Sequence, residues 1–575
     1  MITKTTQIAQ RPSWSVSPSG LCAIAVGAWG LVAALHYHRL GLTLAHYDAR
    51  AHLVVARRVF DSLTPGWQQV GAVWLPLPHL LNALPVQVDA VYRTGASGVA
   101  ISVASMALAA WAIARLIHRT TGSVVGGAVA AALLMLNPDV LYLQSTPMTE
   151  PLLFGSTFLA VALIGDWATR LPSRSDGPPS RSDDGLGFGG TAAPRASRAA
   201  GWACIAAVLT RYEAWPVIGA ALVLAFAVLV RRGWTMGAAG RAVRGLALWP
   251  LWALAAFLVN SKVSVGAWFI SSGFFVAENP AKGHAWLAWT QIWEGLVRLM
   301  GPVLPWMALA SAIGVAVWCL LPPRGGSDRR SERGGRDGDG QPTQSARPAL
   351  LLVLALGACA VLPLYAYFKG HPLRIRYDVP LVAAAAALTG TGVALLPRRA
   401  QALAGIAIVA LSAWQVRPFD ATAPVVVESQ RDADNAAGRR AVTAYLASNW
   451  NGQPILMSMG SLAHYMHDLS GAGFGVKDFL HEGNGELWTH AARHPGPFVD
   501  WIAIEERAEG GDALHWQAEH DPNFLKGFAR VAEGGGVALY RKGSKGSKES
   551  KESTAKESKD WKGRRSESVE GLKLE

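Results

Sequence analysis

Four short polar stretches hold the ionisable residues best placed to do chemistry, and each borders or interrupts an apolar run. The first, HYDARAHLVVARR at 46–58, carries Asp48, His52, Arg57 and Arg58. Asp48 is the first acid of the chain and precedes a helical pattern, so it suits a helix N-cap. A capping carboxylate still keeps one oxygen free for acid–base work. His52 follows one helical turn later on the same face. The plain reading of His52 is a packed histidine, and that of Arg57 and Arg58 is contact with lipid headgroups. The second stretch, NPDVLYLQSTPMTEPLLFG at 137–155, has Asp139 and Glu150 flanking a short connection. Glu150 favours a helix N-terminus through the dipole, with Pro151 in the first turn. A carboxylate at the edge of hydrocarbon is nevertheless costly and tends to have a task. The third, LTRYEAWP at 209–216, sets Arg211 and Glu213 at the tip of an apolar hairpin. The fourth, YFKGHPLRIRYDVPLV at 367–382, gathers Lys369, His371, Arg374 and Arg376 just before Asp378. Arginine suits phosphate through its bidentate fork; surface pairing with Asp378 is the alternative.

Taken together, these residues offer a carboxylate as general base toward an acceptor hydroxyl. They also offer cations where a departing phosphate concentrates charge. A lipid-linked phosphosugar would bring both the membrane anchor and the phosphate.

The rest of the chain must hold these stretches at one surface. Of its 575 residues, 51% are hydrophobic and 16% charged, which excludes an ordinary soluble enzyme and predicts a polytopic membrane protein. The 23 tryptophans fit the two bilayer interfaces. The net charge of +13 lies in short basic runs between apolar segments, which speaks against a nucleic-acid partner. Cys22, Cys204, Cys319 and Cys359 all sit in apolar runs, without metal-ligand spacing or a disulfide framework.

Runs of roughly 20 apolar residues cross a bilayer, and about eleven are expected here. They fall near 20–41, 95–117, 122–138, 150–169, 199–210, 214–230, 245–260, 296–321, 348–368, 378–396 and 401–416. Basic connections place the tail 1–19 in the cytoplasm, so the four polar stretches share the outer face. The predicted organisation is a mainly α membrane bundle at 20–416, with a first outer loop at 42–94 and disordered cytoplasmic linkers at 171–198 and 322–347. Residues 417–541 alternate strand and helix signals and predict a small extracytoplasmic α/β domain, followed by a disordered tail at 542–575. Within that domain ILMSM, WIAIEE and VALYR read as strands, and DPNFLKGFARVAEG as a helix. The Ala- and Arg-rich composition points to a bacterial cytoplasmic membrane.

The layout resembles the GT-C class of integral-membrane glycosyltransferases. Within it, the chain is most similar to the group of dolichyl-phosphate-mannose protein mannosyltransferases and lipid A aminoarabinose transferases. The resemblance is carried by YDARAHLVVARRVFDSLTPGWQQVGAVWLPLPHLL, TPMTEPL, LTRYEAWP and RIRYDVPL, and covers about residues 20–416. It implies a polyprenyl-phosphate sugar donor, membrane lipids as surroundings, an unidentified acceptor and inversion at the anomeric centre. It also implies a catalytic acid at Asp48 and a donor phosphate held by Arg211, Arg374 and Arg376, with Lys369 as a further candidate. Many relatives carry two neighbouring acids in the first loop, whereas Ala49 follows Asp48 here. Glu150 or Asp139 would then supply the second carboxylate. A divalent cation serves some relatives and not others, so the metal is left open. The competing class is a transporter, which would place broken spans at related positions of two halves; no internal repeat supports it.

Overall fold

The computed structural model describes residues 16–171, 193–269, 279–321, 344–507 and 511–543. The expected linkers at 171–198 and 322–347, the tail 1–19 and the tail from 542 lie largely outside the described residues.

The first apolar helix, α1 (Pro18–Arg39), starts where the Ser17 hydroxyl accepts from the Gly20 amide at 3.2 Å. It leads into a short helix, α2 (Tyr47–Arg57). Then come α3 (Ala96–Thr121), α4 (Glu150–Arg170), α5 (Ala214–Arg231), α6 (Met236–Val265), α7 (Ala346–Phe368) and α8 (Ile375–Leu395). With α1, these last six make seven helices long and apolar enough to cross a membrane among the described residues. Two bent pairs raise the number to nine: Val124–Leu136 with Pro138–Gln144 at 76°, and Ala285–Met300 with Leu304–Leu320 at 109°. Two of the eleven expected spans fall short of that test. One is Ala193–Val208, apolar only over Arg198–Val208; the other is Arg398–Gln415, which opens on two arginines. The chain is a multi-pass, mainly α membrane protein.

Contacts fix which ends of the helices lie together. Gly98 packs on Pro147 and Gly155 on Ser105, while Arg115 and Arg119 reach Asp166 at 2.9 and 2.7 Å. Helices α3 and α4 therefore run side by side in the same direction, and Glu150 lies at the end opposite the Arg115–Asp166 cluster. Helix α8 is the most enclosed of the crossing helices. A Cβ on Gly126 would sit 2.6 Å from the Gly390 carbonyl oxygen, and one on Gly390 2.5 Å from that of Gly126. Only paired glycines let these backbones touch, as small residues do between membrane helices. That contact seats α8, which carries Arg376 in its first turn.

Beyond α9 (Pro424–Ser429) and α10 (Ala433–Asn449) the chain forms a five-stranded sheet of order β2-β1-β3-β5-β4. Its strands are β1 (Ile455–Met457), β2 (Phe479–Leu480), β3 (Trp501–Glu505), β4 (Phe528–Gly534) and β5 (Val537–Lys542). β1 pairs in parallel with β2 and β3, whereas β5 pairs antiparallel with β3 and β4. Every residue of β1 and β3 is buried, as expected of central strands. Helix α11 (Met459–Leu469) follows β1 directly. The helix expected within DPNFLKGFARVAEG is instead β4. Gly535 and Gly536, with φ of 56° and 83°, turn the chain so that this edge segment pairs with β5. Pairing overrides the helical preference of its Ala, Arg and Glu residues.

Candidate active site

Helix α2 begins at Tyr47, two residues earlier than a cap at Asp48 would require. The N-cap is His46, whose Nδ1 accepts from the Asp48 amide at 3.1 Å. Burial first, and the nearby Arg376 second, push the His46 imidazole down to about 3, so it stays neutral and able to accept. The expected capping role of Asp48 thus passes to His46. The Asp48 side chain is free to turn toward α8, where it pairs with the Arg376 guanidinium.

Arg376 is shared. Its Nη1 lies 3.5 Å from Glu150 and its Nε 3.8 Å from Glu428, and all four side chains are buried. Glu150 in turn meets Arg211 at 3.0 Å, and Arg211 holds Glu213 at 2.7 Å and the Thr149 hydroxyl at 2.9 Å. Burial opposes the Arg211 charge, but Glu150 and Glu213 outweigh it and hold the guanidinium above its ordinary value. One buried network therefore joins Asp48, Arg376, Glu150, Arg211 and Glu213 from four segments far apart in sequence. Arg374 is buried beside it and adds its field at His46, Tyr47 and Glu428. His52 also faces the network, under the fields of Arg211 and Arg376. Its Nδ1 shares a 3.0 Å hydrogen bond with His79 Nε2, and Trp74 packs on its ring at 4.1 Å.

Other candidates are engaged elsewhere. Arg57 binds Asp61 and Asp89 at 2.7 Å each and covers the Tyr92 ring. Arg58 is half-buried and donates to the Gln69 carbonyl and the Met459 sulfur at 2.7 Å each. Among the described residues neither is bonded to the network, because both lie at the C-terminal end of α2, two turns or more from Asp48. Lys369 is exposed over Tyr365 at 5.7 Å. Asp139 is fully buried and accepts from the Val425 amide at 2.8 Å, tying its helix to α9. Asp378, the alternative surface partner for the basic cluster, is fully buried, with no hydrogen bond to its carboxylate among the described residues. Sequence reading missed Glu428. It stands in VVVES, in a region read as a separate outer domain, and only the fold returns it to Arg376. Burial raises its carboxyl above the ordinary range, and Arg376 partly offsets this.

Among the described residues, no group of three or more His, Cys, Asp or Glu is placed to hold a metal ion. Each acid of the network faces a guanidinium instead, so a cation has no ready ligand set there.

Two predictions follow from these placements. Arg57→Ala is expected to cost about 1–2 kcal/mol of stability. Thermal unfolding of the variant beside the wild type checks this. The second concerns pH. Burial lowers His46, His79 and His464 to about 3 and holds His52 well below 6.5. These imidazoles stay neutral in the folded chain while their unfolded counterparts protonate. Their contribution is present above pH 6.5 and is lost as pH falls from there toward 3, by up to about 1.4 kcal/mol per group and pH unit. Glu505, raised by burial to about 7, runs the other way: its contribution is full below 4.5 and is lost as pH rises through 7. Burial raises Glu428, Asp478, Glu482 and Asp512 in the same sense as Glu505, and it lowers His371, His467 and His481 as well, so outside the crossing helices the histidines outnumber the acids. The melting midpoint of the full chain in detergent is therefore expected to drop between pH 6.5 and 4, and His464→Gln to make that drop shallower.

No family profile matches the chain, and no curated protein matches it. Among solved structures, the chain is similar to ArnT from Cupriavidus metallidurans bound to undecaprenyl phosphate. That alignment has 16% identity and a TM-score of 0.44, over 91% of this chain and 98% of that one. The same protein in the apo state aligns at 14% identity and a TM-score of 0.48, with the same 91% and 98% coverage. The archaeal oligosaccharyltransferase AglB from Archaeoglobus fulgidus, in complex with an inhibitory peptide and a dolichol-phosphate, aligns at 10% identity and a TM-score of 0.42. It covers 91% of this chain and 74% of AglB.

Proposed function

We propose that the chain is a GT-C-type glycosyltransferase that moves a sugar from a polyprenyl-phosphate donor to an acceptor hydroxyl. The reaction takes place at the outer face of the cytoplasmic membrane, with inversion. The observation that carries this reading is the joining of Asp48, Glu150, Arg211 and Arg376 in one buried network at the ends of apolar helices. Carboxylates and guanidiniums are expensive there and are best accounted for by a charged, membrane-anchored substrate.

In this reading Asp48 takes the proton of the acceptor hydroxyl as that oxygen attacks the anomeric carbon. The carbon–oxygen bond to phosphate breaks on the opposite face, and its electron pair leaves on the phosphate oxygen. Arg376 and Arg211, with Arg374 beside them, hold the developing phosphate charge. Glu150 lies between the two guanidiniums and offsets their mutual repulsion. Glu428 sets the Nε side of Arg376. The C-terminal α/β region would lie outside the membrane with the acceptor.

The direct test incubates the purified full chain with a panel of polyprenyl-phosphate sugars and candidate hydroxyl acceptors. Release of free polyprenyl phosphate, matched by glycosylated acceptor, is expected from at least one donor. Release from none overturns the reading.

A further inference from the structure

Helix α2 carries Asp48 and His52 on one face and is gripped on the other by the C-terminal region. Arg50, two residues after Asp48, projects to the opposite side of the helix. Its Nη1 donates to both oxygens of Asp468 at 2.8 and 2.7 Å, and its Nη2 donates to Asp432 at 2.8 Å. Arg439 of α10 donates to the same Asp432 at 3.1 and 2.6 Å and lies 3.9 Å from Asp468. The Arg50 and Arg439 side chains are only 7% and 1% exposed. Between the ends, Ala51, Leu53, Val54 and Val55 share a core with Leu462, Tyr465 and Met466 of α11. At the far end Arg58 meets Met459, the first residue of α11.

The sheet supports the same grip. Open α/β sheets hold ligands beyond the carboxyl ends of their parallel strands. Here Glu482, just after β2, fills that place itself by accepting from the Ser458 hydroxyl at 2.5 Å and the Met459 amide at 2.7 Å. The adjoining edge receives the first loop. Asn484 donates to Ser62 and Thr64 at 3.2 and 2.9 Å, and Gln69 donates to the Gly483 carbonyl at 2.7 Å.

An 11-residue helix has little stability of its own, so its placement must come from packing. Desolvation offsets much of the attraction in a buried ion cluster, whereas the three short bonds from Arg50 fix where that side of α2 lies. We infer that the C-terminal α/β region is a clamp on α2, and that Arg50 is a positioning residue that sets Asp48 against Arg376. The catalytic part of this inference rests on the glycosyltransferase reading; the mechanical part does not.

The test compares full-length wild type with Arg50→Met and Arg50→Lys. Amide hydrogen exchange over residues 48–54 is expected to speed up about ten-fold in Arg50→Met, with α3 unchanged as the internal reference. Unchanged exchange in α2 overturns the clamp. On the donor that the wild type uses, kcat is expected to fall about 10–100-fold with the donor KM within about two-fold, as for a displaced catalytic group. Arg50→Lys, which can still serve one of the two acids, recovers part of both effects. A raised KM with unchanged kcat, or no rescue by lysine in a folded protein, overturns the positioning role. If the wild type itself releases no polyprenyl phosphate, the functional reading falls, and the exchange measurement alone decides the clamp.

Discussion

Asp48→Asn is expected to lower sugar transfer by about 10³-fold or more, within the range that a lost general base produces. The substitution keeps the shape of the side chain and removes its charge. It leaves the start of α2 intact, because the cap bond there runs from the residue-48 amide to His46 Nδ1 and involves no side-chain oxygen of residue 48. Arg376 keeps Glu150 and Glu428 as counter-charges. The variant should therefore melt close to wild type and still bind donor. Transfer assayed as polyprenyl phosphate release, next to a melting curve, separates the two effects. Wild-type activity in a folded Asp48→Asn protein would remove Asp48 from the mechanism.

The second large effect is expected at Arg376. Arg376→Gln should reduce kcat/KM for the donor by about 10²–10³-fold, the scale of a lost electrostatic contact in an enclosed site. It should also cost about 3–5 kcal/mol of stability, because Asp48, Glu150 and Glu428 lose the cation they share. Arg376→Lys should restore little, since a point charge cannot divide itself among three acids as a planar fork can. Donor titrations of both variants check this. Donor dependence unchanged from wild type would rule out Arg376 as the phosphate contact.

Much of the bundle was legible because membrane spans announce themselves by length and composition. The arginine-rich connections alternate with those that carry Asp48, Glu150, Arg211 and Arg376, which is why these four were grouped at one end of the bundle. Strands β1, β3 and β5 were readable as short apolar runs, whereas β4 was not: nothing local in FARVAEG outweighs its helix formers, and its partner is set by the Gly535–Gly536 turn. Within the site, Asp48, Glu150, Arg211 and Arg376 stood out as charges at the edges of apolar runs. Arg57 and Arg58 stood out equally, yet their bonds run to Asp61, Asp89, Gln69 and Met459, because sequence gives their face of the helix but not what lies opposite it. Glu428 and the bonds of Arg50 were beyond reach for a related reason. Their partners are 52 and more than 380 positions away along the chain, and only the docking of the C-terminal region closes those distances.

One feature of the resting network bears on how a donor would be taken up. Asp48, Glu150, Glu213 and Glu428 stand against Arg211, Arg374 and Arg376, so the pocket holds no surplus of positive charge. A phosphate arriving at Arg376 must displace an acid already there, and Asp48 is the one whose departure is useful. Under the proposed reaction, uptake would be an exchange of anions, in which the polyprenyl tail would have to supply most of the affinity. The same exchange that would seat the leaving group would unmask the base, so Asp48 would be blunted until there is a bond to break.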